Sequence, residues 1–246
     1  CSSDLRPTQQ QQEQSGLWHY MDWLRDSRGR DFSDYEALWQ WSATDIEGFW
    51  RSVWDYFGIQ ADGDPTQVLA GRKMPGAEWF PETRLNYAEH IFRQASDQRP
   101  AIIARCEGQT PVEVSWQQLQ RDVGALAASL RGLGIVRGDR VVAYLPNVPQ
   151  TVVAFLACAS IGAIWSSCAP EMGVSVVLDR FQQIAPKLIF ATDSYSYAGR
   201  QFDRREVLRL VASVEAKSEH PIAEAIVAAA EAEGLVRGPV DGFSAE

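Results

Sequence analysis

The side chains that commonly perform acid–base or metal chemistry are scattered along this sequence. His19 and His90 are isolated from each other and from any acidic cluster, so we expect both to be structural or surface residues. The pair Asp139-Arg140 follows Gly138 at the entrance of a predicted strand, where a turn with a surface ion pair is expected. The four cysteines form neither a CxxC pair nor a clustered Cys/His ligand set. The residue types therefore predict no catalytic residue and no metal site.

Predicted strands and helices alternate in the second half of the chain, as in a parallel α/β sheet. The predicted strands are 141–145, 163–166 and 188–191, and the predicted helices between them are 150–161 and 174–184. This alternation implies right-handed βαβ crossovers. Ligands of such sheets bind beyond the carboxyl ends of the strands, which are here followed by the loops 146–149, 167–173 and 193–200.

The first part of the chain is predicted to be helical. Residues 1–14 carry few apolar side chains and are expected to be disordered. Apolar and aromatic residues recur at helical spacing between residues 18 and 57, which predicts two or three amphipathic helices. Thr44–Glu47 and Ser115–Gln118 match the capping box that satisfies free N–H groups where a helix begins.

Several consecutive segments resemble the adenylate-forming, or AMP-binding, enzymes. Gly134-Ile-Val-Arg-Gly-Asp-Arg-Val-Val-Ala-Tyr-Leu-Pro-Asn-Val-Pro149 and residues 155–163 resemble the start of an adenylation domain. Residues 31–41, 84–88, 164–170 and 178–181 resemble the acetoacetyl-CoA synthetase branch of that superfamily, which is the acetoacetate–CoA ligase family. The resemblance covers residues 17–207.

This resemblance implies an α/β fold in several parts. A helical N-terminal region of the acetyl-CoA synthetase type is expected over residues 15–95. The start of an AMP-binding domain, a truncated parallel βαβ subdomain, is expected over 96–207. A helical tail that lies outside this resemblance is expected over 208–246.

Members of the family activate a carboxylate with ATP and Mg²⁺ as an acyl-adenylate, and then transfer the acyl group to the thiol of CoA. Activation needs a Gly/Ser/Thr-rich loop and a following lysine that hold the phosphates. Neither this loop nor the family's C-terminal catalytic lysine occurs in the 246 residues. The chain is therefore predicted to be a fragment that is catalytically incompetent by itself.

The residues that match the CoA contacts of the family lie in two of the predicted loops. Ala169, Pro170 and Glu171 correspond to the loop against which pantetheine or the nucleotide of CoA packs, and Arg200 matches an arginine that meets a CoA phosphate. Tyr197 replaces the second such arginine. For Arg200, a solvated loop cation remains the alternative.

The tail resembles a second family. Residues 213–226 resemble the nucleotide-binding domain of heavy-metal-transporting P-type ATPases, whose Ser-Glu-His-Pro signature carries a histidine that meets the adenine of ATP. Glu219 and His220 match that signature. The alternative is an Ala-rich amphipathic helix over 222–234 with Pro221 in its first turn.

Three functions remain open from the sequence: a fragment of an acetoacetyl-CoA synthetase, a fragment of a P-type ATPase, and a CoA-binding module without enzymatic activity. The partners of an intact synthetase would be acetoacetate and CoA. A truncated parallel sheet is expected to self-associate through an exposed edge.

Charge and hydropathy disfavour other partners. A formal net charge of −9 disfavours nucleic acid. The longest apolar stretch, Thr151–Ile164, is shorter than the roughly 20 residues that span a bilayer. The cysteine pattern suits a reducing cytoplasm.

Overall fold

The computed structural model describes residues 7–209, which fall into two units, residues 7–85 and 86–209. The first unit is built from four helices. They are α1 (Gln9–Glu13), α2 (Gly16–Arg28), α3 (Tyr35–Thr44) and α4 (Ile46–Tyr56). The longer three confirm the predicted amphipathic helices, and they bury Tyr20, Leu24, Leu38 and Trp41 in one aromatic core.

Residues 9–13 differ from their prediction. Disorder was expected over residues 1–14, yet residues 9–13 form the helix α1. The Thr8 side chain accepts from the Gln11 N–H, and the Gln11 side chain accepts from the Thr8 N–H. This reciprocal cap satisfies backbone N–H groups at the start of the helix without any apolar burial. A prediction from amino-acid composition does not detect such a cap.

The capping box predicted at Thr44–Glu47 is wrong by one residue. Thr44 is the last residue of α3, and its hydroxyl donates to the Gln40 carbonyl at 2.8 Å. Asp45 caps α4 instead, because its carboxylate accepts from the Gly48 N–H at 3.1 Å. A threonine already bonded within the preceding helix is not available to start the next one.

Two small antiparallel pairs complete the first unit. Strand β1 (Asp62–Gly63) pairs with β4 (Thr83–Arg84), and β2 (Leu69–Ala70) pairs with β3 (Glu78–Trp79).

The second unit contains the predicted parallel sheet. Its elements are α5 (Tyr87–Phe92), β5 (Ile102–Ala104), β6 (Val112–Val114), α6 (Trp116–Gly132), β7 (Arg140–Tyr144), α7 (Pro149–Ser160), β8 (Ile164–Cys168), α8 (Val174–Ile184), β9 (Leu188–Ala191), β10 (Ser194–Tyr197) and β11 (Arg200–Asp203). Strands β8, β7 and β9 are parallel and lie in that order. The α/β fold class is confirmed, while the helical tail expected over 208–246 lies almost entirely outside the described residues.

The central strand β7 is covered on both faces. Val141 belongs to a core formed with α5, α6 and α7, whereas Val142 and Tyr144 belong to a second core formed with α8. The alternation follows from the two-residue period of a strand. A strand buried on both faces requires helices on both sides, which the βαβ connections supply.

Side chains fix the helix boundaries around the sheet. Ser115 accepts from the Gln118 N–H at 3.1 Å and starts α6, which confirms one half of the predicted capping box. The Gln118 side chain bonds Asp122 and Arg121 and does not reach back to Ser115. Asn86 accepts from the Ala88 and Glu89 N–H groups at the start of α5. None of the helices in residues 7–209 has the length and apolar content needed to cross a bilayer.

Candidate functional site

The carboxyl edge of the parallel sheet is where the predicted CoA loop lies. Strands β7, β8 and β9 end in register, with Tyr144 opposite both Cys168 and Ala191. The loop that follows β8, residues 169–173, is called here the post-β8 loop. The Met172 N–H donates to the Ala169 carbonyl at 3.0 Å and closes a turn within it.

The three predicted loop residues have different exposures. Glu171 is exposed and Ala169 is half-buried, whereas Pro170 is among the fully buried side chains. Solvent therefore meets the loop at Ala169 and Glu171. Pro170 anchors the loop to the protein interior.

Tyr144 holds this loop from the end of the central strand. Its hydroxyl donates to the Pro170 carbonyl at 2.5 Å and also lies 3.1 Å from the Met172 carbonyl. Burial raises the pKa of the Tyr144 hydroxyl. The phenol therefore keeps the proton that it donates at neutral pH.

Arg200 lies on a hairpin that the sequence did not predict. Residues 193–200 were expected to be a loop, but β10 and β11 pair with Tyr197 directly opposite Arg200. Ala198 and Gly199 between them both have positive φ, which is the geometry of a tight hairpin turn. Arg200 is exposed and forms no ion pair with another residue of the described part of the chain.

Arg204 is the arginine that contacts the post-β8 loop, and the sequence did not single it out. Its Nε donates to the Pro170 carbonyl at 2.7 Å, and its Nη2 donates to the Tyr195 hydroxyl at 3.0 Å. The guanidinium lies 5.1 Å from the Tyr195 ring centroid and 5.9 Å from that of Phe202.

A signal for this arrangement exists in the sequence. Tyr195 and Phe202 lie at equal distances from Ala198-Gly199, so a hairpin would place them opposite each other. In the structure their rings stack at 5.1 Å. Arg204 follows two residues later and covers the pair.

At the amino edge of the sheet, Asp139 and Arg140 make contacts that hold neighbouring elements together. The Asp139 carboxylate accepts from Lys187 Nζ at 2.8 Å and from the Val136 N–H at 2.8 Å. Arg140 donates to the carbonyls of Ile184 and Ala185, where α8 ends. The expected turn is present, although Asp139 pairs with Lys187 and not with its neighbour.

The buried thiols of the second unit, Cys158 and Cys168, are poor nucleophiles because they stay protonated. Burial raises the pKa of the Cys158 thiol to about 11 and also raises the pKa of Cys168. Cys106 is exposed. Within residues 7–209, no three His, Cys, Asp or Glu side chains are grouped closely enough to hold a metal ion.

Two apolar cavities lie away from the predicted CoA residues. One of about 340 Å³ is lined by α6, α7 and the ends of β7 and β9, including Leu126, Leu145 and Phe190. The other, of about 350 Å³, lies within the helical unit among Leu17, Trp39 and Phe57. Neither contains Ala169, Glu171 or Arg200.

Glu219 and His220, the residues predicted to bind nucleotide in the tail, lie outside the described residues. Their assignment stays a prediction. The Trp165 ring in β8 lies 6.2 Å from the rings of both Phe155 and Phe190 and packs against the core that contains Val141.

Comparisons with known proteins match two family models in order along the chain. The model described as "Acetyl-coenzyme A synthetase N-terminus" matches residues 35–91, and the model described as "AMP-binding enzyme" matches residues 90–239. The second match continues through most of the segment that the sequence assigned to an ATPase-like tail.

Individual relatives agree with these matches. An acetoacetyl-coenzyme A synthetase from Rhizobium meliloti is 40% identical over 200 residues, which are 81% of this chain and 31% of that protein. An acetoacetyl-CoA synthetase from Danio rerio is 43% identical over 186 residues, which are 74% of this chain and 28% of that protein.

A solved structure reproduces the fold. The acetoacetyl-CoA synthetase from Streptomyces lividans superposes with a TM-score of 0.78 at 42% identity, covering 82% of this chain and 32% of that one. The chain thus spans less than a third of the length of these relatives. With more than half of its residues matched by the family model, the chain belongs to the family of AMP-binding enzymes.

Proposed function

We propose that this chain is the N-terminal part of an acetoacetyl-CoA synthetase. The intact enzyme would join acetoacetate to ATP as an acyl-adenylate with release of pyrophosphate, and the CoA thiol would then displace AMP to form the thioester. The observation that carries the proposal is the superposition on a solved acetoacetyl-CoA synthetase over 82% of this chain at 42% identity.

Within that reaction, we assign to these residues the CoA side of the site. Ala169 and Glu171 present the surface of the post-β8 loop against which pantetheine would pack, and Pro170 anchors it. Arg200 offers an exposed guanidinium to a CoA phosphate. This assignment is supported by the position of the loop at the carboxyl edge of a parallel sheet, where ligands of such folds bind.

We propose that the adenylation step depends on residues other than these 246. No Gly/Ser/Thr-rich loop with a following lysine occurs in the 246 residues, and such a loop is what would neutralise the phosphates of ATP during carboxylate attack. ATP and Mg²⁺ would act in the intact enzyme, and CoA is the ligand that we assign to this chain alone.

Calorimetric titration of the 246-residue chain with CoA tests the proposal. We expect CoA to bind, and Arg200→Ala to weaken binding by about tenfold, because a charge-assisted contact to phosphate is lost. The matched control is Arg205→Ala, since Arg205 is exposed and paired with Asp203. A wild-type chain that gives no heat with CoA, or equal losses in the two variants, would contradict the assignment.

The Ser-Glu-His-Pro motif supports a separate proposal for the tail, that Glu219 and His220 bind adenine nucleotide. In that case ATP should bind to the wild-type chain and fail to bind to His220→Ala. Equal ATP binding by both chains, or by neither, would remove the ATPase-like function.

A further inference from the structure

The carbonyl oxygen of Pro170 is held from two directions. The Tyr144 hydroxyl reaches it at 2.5 Å from the end of β7, and Arg204 Nε reaches it at 2.7 Å from the residue after β11. A carbonyl oxygen has two lone pairs, so the two donors satisfy it completely. We call Tyr144, Pro170 and Arg204 the Pro170 clasp.

The clasp lies in a setting where these bonds are strong. Tyr144 and Pro170 are fully buried, and Arg204 is half-buried against the aromatic pair Tyr195 and Phe202. Hydrogen bonds gain strength where water is excluded, and an unsatisfied buried acceptor is correspondingly costly. Losing either donor should therefore loosen the post-β8 loop.

Arg204 also ties the hairpin to the loop. Its Nη2 bonds the Tyr195 hydroxyl in β10, and its backbone N–H donates to the Asp193 carbonyl at 2.6 Å just before that strand. The same hairpin carries Arg200. The Arg204 guanidinium thus connects the hairpin that carries Arg200 to the loop that carries Glu171.

We propose that Tyr144 and Arg204 are positioning residues for CoA, which hold the pantetheine-binding loop and the phosphate-binding hairpin at a fixed separation through the Pro170 carbonyl. This inference rests on the CoA site proposed above. Neither residue touches CoA, and both act through the geometry of the loop and the hairpin.

Titration of the 246-residue chain with CoA and with pantetheine, which lacks the nucleotide phosphates, tests this role. Arg204→Met keeps an unbranched side chain without its donors, and Tyr144→Phe removes only the hydroxyl. Each should weaken binding of both ligands by roughly fivefold to tenfold, because a loosened loop must be ordered again on binding. Arg200→Ala should weaken binding of CoA alone.

Two further readouts separate positioning from a general loss of structure. The double variant Tyr144→Phe/Arg204→Met should lose less affinity than the product of the single losses, because both donors act on one carbonyl. Amide exchange of Ala169 and of residues 171–173 should quicken in both single variants while the exchange of β7 stays unchanged. Arg205→Met is the matched control, and it should alter neither affinity nor exchange.

The outcomes distinguish this inference from the function on which it rests. If wild-type chain binds CoA and the two clasp variants bind it equally well, the clasp has no positioning role and the CoA site stands. If exchange of the post-β8 loop is unchanged in both variants, the inference is likewise overturned. If wild-type chain binds neither CoA nor pantetheine, the CoA site falls and the role of the clasp falls with it.

Discussion

At the scale of single residues, the two edges of the parallel sheet are held by different chemistry. At the amino edge, the Asp139 carboxylate forms an ion pair with the Lys187 ammonium. At the carboxyl edge, the Tyr144 phenol and the Arg204 guanidinium both donate to the Pro170 carbonyl. The sequence indicated Asp139 as a turn residue because it follows Gly138. Arg204 was not predicted because its contacts depend on the hairpin, which brings the Tyr195 and Phe202 rings together.

Asp139→Asn should show a pH-dependent loss of stability. The hydrogen bond from Lys187 and, next, that from the Val136 N–H lower the pKa of the Asp139 carboxyl. The stability that the ionised Asp139 carboxylate contributes is therefore fully present above the pKa of the unfolded chain, near 3.8. It is lost as the pH falls through the lower pKa of the folded protein. Urea unfolding at pH 7 should give a deficit of about 1–2 kcal/mol in the free energy of unfolding.

The same deficit should shrink when unfolding is measured below about pH 4, where the wild-type carboxylate is protonated in the unfolded chain. Asp179→Asn, a change in a surface carboxylate on α8, serves as the control and should leave the stability almost unchanged. A deficit for Asp139→Asn that is constant with pH would contradict the ion-pair account.

The thiols should react in two classes. In a Cys1→Ser background, we expect one fast thiol per native chain with a disulfide reagent, from exposed Cys106. Cys158 and Cys168 should react only after denaturation, since burial raises the pKa of both and blocks access. Three fast thiols in the native chain would show that the two cores of the second unit are open.

At the scale of elements, the sequence predicted the parallel region well and the capping details less well. Helix α8 and strand β9 were predicted with the observed bounds, because long apolar runs between glycines and prolines leave few alternatives. Thr44 was misassigned because a capping motif does not reveal that its hydroxyl bonds the preceding helix. The CoA loop came from resemblance, and only the structure showed that Pro170 faces inward.

Asn86 illustrates how one side chain can serve two helices. It caps α5 with its oxygen, and its Nδ2 donates to the Ser160 carbonyl at 3.0 Å where α7 ends. Asn86→Ala should cost about 1–3 kcal/mol in the free energy of unfolding, since a cap and a carbonyl partner are both lost. Asn86→Ser keeps the cap and should cost less. Equal costs in thermal or urea unfolding would mean that the cap contributes nothing.

At the scale of the whole molecule, the described sheet has only three strands, and its outer strands β8 and β9 each have one neighbour within residues 7–209. Parallel sheets with open edges tend to pair with other chains. The relatives are about 2.6 times as long as this chain. We therefore propose that the isolated chain self-associates through an edge of this sheet.

Light scattering after size exclusion tests that proposal. The wild-type chain should elute as dimers or larger species at micromolar concentration. Ile164→Lys, which places a charge on a side chain that is 53% exposed at the start of β8, should shift the distribution towards monomer. Val176→Lys on α8 is the control and should not. A wild-type chain that is monomeric at all concentrations would contradict the edge proposal.

We propose that these residues form the CoA side of a synthetase and do not activate the carboxylate. The most direct test of this proposal is pyrophosphate release from ATP and Mg²⁺ with acetoacetate, using a preparation that binds CoA by calorimetry. The account predicts no release above that seen without acetoacetate. Pyrophosphate release that depends on acetoacetate would contradict it, because a chain without a phosphate-binding loop would then be forming the acyl-adenylate.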